Sequence, residues 1–260
     1  MITRLTALTL LLLTLVCRAG LDRHTLTIDG VVRQYLLYVP ASMKSAPVPL
    51  VFTFHGHGGS AAQASAGFGM HTAWPEAVCV YMDGLPTPGR LTDPEGKRAG
   101  WQTGPGDQAD RDLKFFDATL AAVQAACKID ASRIYSTGHS NGGSFTYLLW
   151  AMRPTVLAAV APSGAAALRL RGKFTAKPVL HIAGRNDPLV KFAWQQATMA
   201  ALLKTNRCAK ESTAWEGAQL FASSHGTPMV QFIHDGGHAF PKAAPALIVK
   251  FFQHYSAKKS

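Results

Sequence analysis

The stretch Ile134-Tyr135-Ser136-Thr137-Gly138-His139-Ser140-Asn141-Gly142-Gly143 decides how this chain is read. An apolar, β-prone run leads into Gly-x-Ser-x-Gly, and Phe145, Tyr147, Leu148, Leu149 and Trp150 follow before Pro154 stops a helix. That order predicts a strand, a sharp turn and a helix. Gly138 and Gly142 carry no Cβ where strand and helix pass closely, so the turn can push Ser140 Oγ clear of the backbone. The helix behind it aims unpaired N–H groups at any anion formed there. In a chain with 23 glycines the same pentapeptide also arises as an ordinary βα turn, so corroboration must come from the flanking sequence.

Outward from the serine, Thr25 to Ile28 and Val31 to Val39 alternate and are joined by Asp29-Gly30, a hairpin signal. Val48 to Phe54 is a continuous apolar run, as expected of a strand buried on both faces, and His55-Gly56-His57-Gly58-Gly59-Ser60 follows it directly. Cys79 to Met82, Arg133 to Thr137, Val156 to Ala161, Val179 to Ala183 and Met229 to His234 read as further strands. Gly84 to Gly106 is rich in Gly and Pro without periodicity and reads as a long loop. Asp110 or Asp112 can cap a helix that places Leu113, Phe116, Leu120 and Val123 on one face; Trp194 to Leu203 and Leu247 to Tyr255 are the other helical segments. An antiparallel start followed by strands alternating with helices gives an α/β fold: a mostly parallel sheet with helices on both faces.

Ligands of such sheets sit at the carboxyl ends of the strands. A serine hydroxyl is a weak nucleophile unless a base takes its proton and a carboxylate holds that base. After Ser140 the only aspartates are Asp187 and Asp235. Asp187 lies just beyond the Val179 to Ala183 strand, and His238 lies in a glycine-rich loop just beyond Met229 to His234. Ser140, Asp187 and His238 are therefore the candidate nucleophile, acid and base. His181 reads as a core or strand-edge histidine, Asp235 as turn chemistry, and His139 as a pocket-lining residue. The N–H of Asn141 and the backbone N–H of His57 are the candidate oxyanion donors. A metal held by His55 and His57 is the alternative for that loop, but no acidic or histidine cluster in the sequence completes a ligand set.

At 260 residues, 48% hydrophobic and 16% charged, the composition is that of one globular domain with ample core. Residues 1–19 have a basic start, a short apolar run from Leu5 to Val16 and a small residue, Ala19, at a plausible cleavage point, so they read as a signal peptide. Residues 20–260 are then the single catalytic domain, secreted or periplasmic; losing Arg4 and Arg18 lowers the formal charge from +11 to +9. An uncleaved anchor is the alternative, although the apolar run is short for a bilayer. Lys and Arg are scattered, and no nucleic-acid module is present, so neither nucleic acid nor stable membrane insertion is expected. Export leaves Cys79, Cys127 and Cys208; Cys79 reads as a core thiol, which leaves Cys127 with Cys208 as the pair.

His55-Gly56-x-Gly58-Gly59-Ser60, Gly138-x-Ser140-Asn141-Gly142-Gly143, Asp187-Pro188-x-Val190 and Gly236-Gly237-His238-x-x-Pro241 resemble the polyhydroxybutyrate depolymerase and feruloyl esterase group of α/β-hydrolases, often placed with carbohydrate esterase family 1. The likeness runs from about Leu26 to Tyr255. It implies the α/β-hydrolase fold and an exported serine esterase acting on aryl or polymer-linked esters with no cofactor; no large inserted lid is visible in the sequence, and a monomer is expected. The group's roles fall on Ser140, Asp187 and His238. Trp101 matches a tryptophan the group tends to carry; it is expected either to offer an aromatic plane to substrate or to anchor its loop, while Trp194 is expected in the core. The chain departs from the group's pattern at His139 and at Phe240, where a tryptophan before the proline is common. Both border the pocket and bear on substrate identity. A peptidase with the same three residues, or a binding protein on the same fold, are the rival readings.

Overall fold

The structure, a computed structural model, describes residues 18–43 and 46–255. Apart from Arg18 and Ala19, the expected signal segment lies outside them. β1 (Gly20–Ile28) and β2 (Val31–Val39) form the antiparallel hairpin, and Asp29 and Gly30 both take positive φ, 49° and 79°, the pair that lets a two-residue turn match strand twist. β3 (Val48–Phe54) and β4 (Val78–Met82) follow, with the short helices α1 (Ala61–Phe68) and α2 (Met70–Ala73) between them. β5 (Leu85–Pro86) and β6 (Ala99–Gly100) pair with each other inside the long loop. α3 (Arg111–Ala126), β7 (Ile129–His139), α4 (Asn141–Met152), β8 (Ala159–Ser163), β9 (Val179–Gly184) and α5 (Phe192–Thr205) come next. β10 (Thr213–Trp215), β11 (Ala218–Phe221), β12 (Met229–His234) and α6 (Ala244–His254) complete the order.

The main sheet has ten strands in the order β1-β2-β4-β3-β7-β8-β9-β12-β11-β10. Its central six, β4 to β12, are mutually parallel, and an antiparallel hairpin lies at each edge. This is the α/β-hydrolase architecture. Alternate residues of one strand enter opposite cores: Leu50, Phe52 and Phe54 pack with Leu113, Phe116 and Phe145, whereas Val51 packs on the other face with Phe251 and Phe252. α3, α4 and α5 therefore cover one face, and α1, α2 and α6 the other.

Several expectations need correction. β8 is displaced from the expected Val156 to Ala161 to Ala159–Ser163, because Pro154 and the turn after α4 take up residues 153–158. Neither aspartate caps α3 with its side chain. Asp110 Oδ1 accepts from Gln102 Nε2 and Gly106 N at 2.8 Å each, and Asp112 is inside the helix, fully buried and paired with Arg33 at 2.9 Å. The Cys127–Cys208 bridge does not form: Cys127 is disulfide-bonded while Cys79 and Cys208 are free thiols. Cys127 follows α3 two residues before β7, whereas Cys208 follows α5 and bridges to Ser223 beyond β11. β7 and β11 are four strands apart in a sheet whose strands lie about 4.8 Å apart. Among the described residues, no helix is long and apolar enough to cross a membrane.

Candidate active site

Ser140 stands between β7 and α4 with φ 57° and ψ −120°, a conformation L-residues avoid and one held only where the surroundings over-determine it. Its N–H donates to Ser163 O at 2.8 Å, which ties the turn to the end of β8. A Cβ on Gly138 would lie 2.4 Å from Gly142 O, and one on Gly142 would lie 2.2 Å from Phe54 O. Strand, turn and helix thus close up only because both positions are glycine.

β9 and β12 are parallel neighbours, so the loops after them emerge side by side. Arg185 N donates to His234 O, Asn186 N to Gly236 O and Asn186 Nδ2 to Asp235 O, lacing the two loops together. Asp187 and His238 meet as a result. His238 Nδ1 is 2.7 Å from Asp187 Oδ2, and His238 Nε2 is 2.8 Å from Ser140 Oγ. Asp187 Oδ1 accepts from Leu189 N and Val190 N at 2.9 Å each, and Oδ2 also takes Gln195 Nε2 at 3.2 Å. An acceptor so surrounded by donors dictates that Nδ1 of His238 carries a proton and Nε2 faces the serine hydroxyl with a lone pair.

The loop after β3 passes over this serine: a Cβ on Gly56 would come within 3.6 Å of Ser140 Cβ. His57 and Asn141 line the same cleft as Ser140, and the first-turn N–H of Asn141 has no partner four residues back in its helix. The 84–106 loop holds both. Gly58 N donates to Ala99 O, and His57 Nε2 is 3.0 Å from Asp93 Oδ2. Trp101 N donates to Asn141 Oδ1 at 2.7 Å while Asn141 Nδ2 donates to Trp101 O at 2.9 Å. Asp93 is pulled down to about 2, first by the Arg98 N–H and then by the His57 ring. Gly84 N donates to His55 Nε2, so His55 Nδ1–H donates to Gly56 O, and burial lowers the pKa of that ring. His55 and His57 therefore turn to different partners instead of converging.

Trp101 takes the anchoring role. It is fully buried, its Nε1 donates to His55 O, and its ring stacks on Phe145 and meets Phe54 edge-on, so it offers no plane to a substrate. Trp194, expected in the core, is instead an exposed aromatic: the first turn of α5 turns it outward, 36% exposed, into a cleft of about 520 Å³ that also contains Ser140, Leu91, Leu168 and Leu189. Its signal was position, seven residues after Asp187 at the start of a helix that leaves the site. Phe240 packs on Phe68 at 4.2 Å and lines a second cavity of about 430 Å³ with His139 and the His55 to Gly59 loop. His139 reaches that cavity, but both its nitrogens are used: Nδ1 by Ser163 Oγ at 3.1 Å, and Nε2 by the backbone oxygen of His238 at 2.8 Å. Burial first, and His238 second, lower it to about 4.

No family model matches the chain. A Nocardia uniformis subsp. tsuyamanensis protein that carries the esterase name NocK is 30% identical over 190 residues, 68% of this chain and 52% of its own length. Feruloyl esterase D of Neurospora crassa is 30% identical over 175 residues, 65% of this chain and 54% of its own. The chain thus spans about half the length of these two relatives. Feruloyl esterase C of Emericella nidulans is 24% identical over 214 residues, 79% of this chain and 76% of its own. In sequence the chain is similar to proteins named feruloyl esterase, and in fold it is an α/β-hydrolase. In fold, it is similar to the acetyl xylan esterase from Aspergillus awamori (TM-score 0.66, 12% identity, 89% of this chain and 99% of that one). A ferulic acid esterase gives a TM-score of 0.64 at 13% identity, covering 90% of this chain and 98% of that one.

Proposed function

We propose that the protein hydrolyses aryl or polymer-linked carboxylic esters by two-step acyl transfer on Ser140, with His238 as base and Asp187 orienting it. The hydrogen-bonded line from Ser140 through His238 to Asp187, at 2.8 and 2.7 Å, is the observation that carries the reading. Ser140 Oγ attacks the ester carbonyl carbon as its proton passes to His238 Nε2. The oxygen that becomes negative is met by the N–H groups of His57 and Asn141. The C–O bond to the alcohol then breaks, His238 returns its proton to the leaving oxygen, and an acyl-serine remains. Water repeats the sequence and releases the acid.

The larger cleft supports a bulky apolar group on the ester, since Leu91, Leu168, Leu189 and Trp194 are all exposed along it and its volume falls in the range of small-molecule sites. Relatives named feruloyl esterase favour an aryl acyl group; hydroxybutyrate oligomers are the competing substrate. The basic and apolar residues 1–19 support export. Replacing Ser140 with Ala is expected to leave folding intact and lower turnover of methyl ferulate and nitrophenyl esters by about 10⁴-fold or more. Wild-type turnover by that variant refutes the proposal. A panel of methyl ferulate, acetylated xylan, hydroxybutyrate oligomers and graded nitrophenyl esters ranks the substrates.

A further inference from the structure

Beyond Asp187 the hydrogen bonds do not stop. Gln195, in the first turn of α5, has both amide protons engaged: Nε2 donates to Val190 O at 2.7 Å and to Asp187 Oδ2 at 3.2 Å. The amide cannot be turned over, because its oxygen would then face a carboxylate and a carbonyl. Its Oε1 therefore accepts, and the group facing it is His181 Nε2 at 3.2 Å, on β9. That makes Nε2 the protonated nitrogen of His181 and leaves Nδ1 a lone pair, which receives the Tyr147 hydroxyl of α4 at 2.5 Å. Gln195, His181 and Tyr147 are all fully buried. Burial holds His181 neutral, lowering it to about 4, and drives Tyr147 well above its usual range, so Asp187 is the one charge in the chain. Every donor, from the tyrosine hydroxyl to the glutamine amide, points towards that carboxylate.

We infer that Gln195, backed by His181 and Tyr147, is a positioning residue of the reaction: it holds Asp187 Oδ2 and shares out its charge, setting how strongly that oxygen draws on His238 Nδ1–H. The inference rests on the assignment of Ser140, His238 and Asp187 as the reacting line. Asp187 is oriented from its other side by two backbone N–H groups on Oδ1, so losing Gln195 does not release the carboxylate. It leaves the charge concentrated on the oxygen that faces His238. Donors in series polarise one another, so the far end of the chain contributes in the same direction by less. The titratable groups facing His238 are Asp187 and, at 4.8 Å between rings, His139; neither is altered in the variants below.

The test is Gln195→Met, of similar length but without the amide, assayed on a neutral nitrophenyl ester per active site titrated with an organophosphonate. The expected result is a displaced pH profile with KM within twofold, since Asp187 stays held through Oδ1. The acid limb of the kcat/KM profile is displaced to higher pH by several tenths. A purely structural glutamine lowers the melting temperature and the titratable fraction but leaves the limb where it was, and that result overturns the inference. Should Gln195→Met not fold, Tyr147→Phe keeps the amide and the ring packing; the same limb then moves in the same direction by less, and an unmoved limb overturns the inference. Ser140→Ala in parallel separates the two levels. If it stays active the underlying assignment is wrong, and if it is dead while both limbs are unmoved only the role of Gln195 falls.

Discussion

Gly142→Ala tests how tightly the turn at Ser140 is packed. A methyl at this position would stand 2.2 Å from Phe54 O, 2.5 Å from His55 O and 2.6 Å from Phe54 C. All three are backbone atoms at the end of β3, so no side chain can rotate out of the way. Ordinary contact of a Cβ begins at 3.4 Å, so α4 and the strand end must part by roughly 1 Å. The shift is applied at the junction that presents Ser140 and Asn141 on one side and leads into His57 on the other. A misplacement of about 1 Å costs on the order of 10²-fold in rate, and overpacking of this kind costs about 1–3 kcal/mol. For a chain of this size that corresponds to a fall in Tm of roughly 2–12 °C. Turnover of nitrophenyl acetate by circular-dichroism-verified protein, with Tm alongside, makes the measurement. A variant with kcat within twofold of wild type and an unchanged Tm refutes the account of the turn.

Trp194→Ala is expected to raise KM for methyl ferulate about tenfold or more and leave nitrophenyl acetate nearly unchanged, because it removes an exposed ring from the cleft; Trp101→Ala should instead unfold the loop, with a loss of about 3–5 kcal/mol in urea melts. Asp112→Asn strands the buried Arg33 guanidinium, whose partner lies 2.9 Å away with both side chains at most 1% exposed, and should cost about 3–5 kcal/mol by the same melts. His139 and His181 are both lowered from 6.5 to about 4 in the fold. The unfolded chain therefore binds more protons between those values: stability from this source is intact above pH 6.5 and falls away as the pH drops towards 4. Near pH 5 the loss is about 2 kcal/mol for the buried His181 alone, with a ceiling near 3. Urea midpoints at pH 7 and 5 check it, and a His181→Asn variant should show a shallower pH dependence.

What could be read from the chain was what has a local cause. The hairpin at Asp29-Gly30, the buried run Val48 to Phe54 and the strand Met229 to His234 follow from turn chemistry and apolar continuity, and all three are present. Ser140, Asp187 and His238 stood out because each follows a parallel strand, and strand ends of such a sheet converge. Less legible were features decided by partners far along the chain. Asp110 and Asp112 carry ordinary capping signals, yet Gln102 and Arg33 claim them. Trp101 is buried because His55, Asn141 and Phe145 surround it, and Trp194 exposed because it leaves the sheet on the first turn of α5; neither set of neighbours is visible in the local sequence. The hairpin of β10 and β11 turns on Glu216-Gly217, with φ of 50° and 77°, a two-residue signal whose flanking strands are too short for alternation to show.

The central claim is that Ser140 becomes acylated, and the direct measurement is a rapid-mixing assay with nitrophenyl acetate followed by peptide mass analysis of the quenched protein. The account predicts a burst of about one nitrophenol per chain and an acetyl group on the peptide containing Ser140, both lost in Ser140→Ala. Acetyl on another residue, or a burst that survives that substitution, contradicts it.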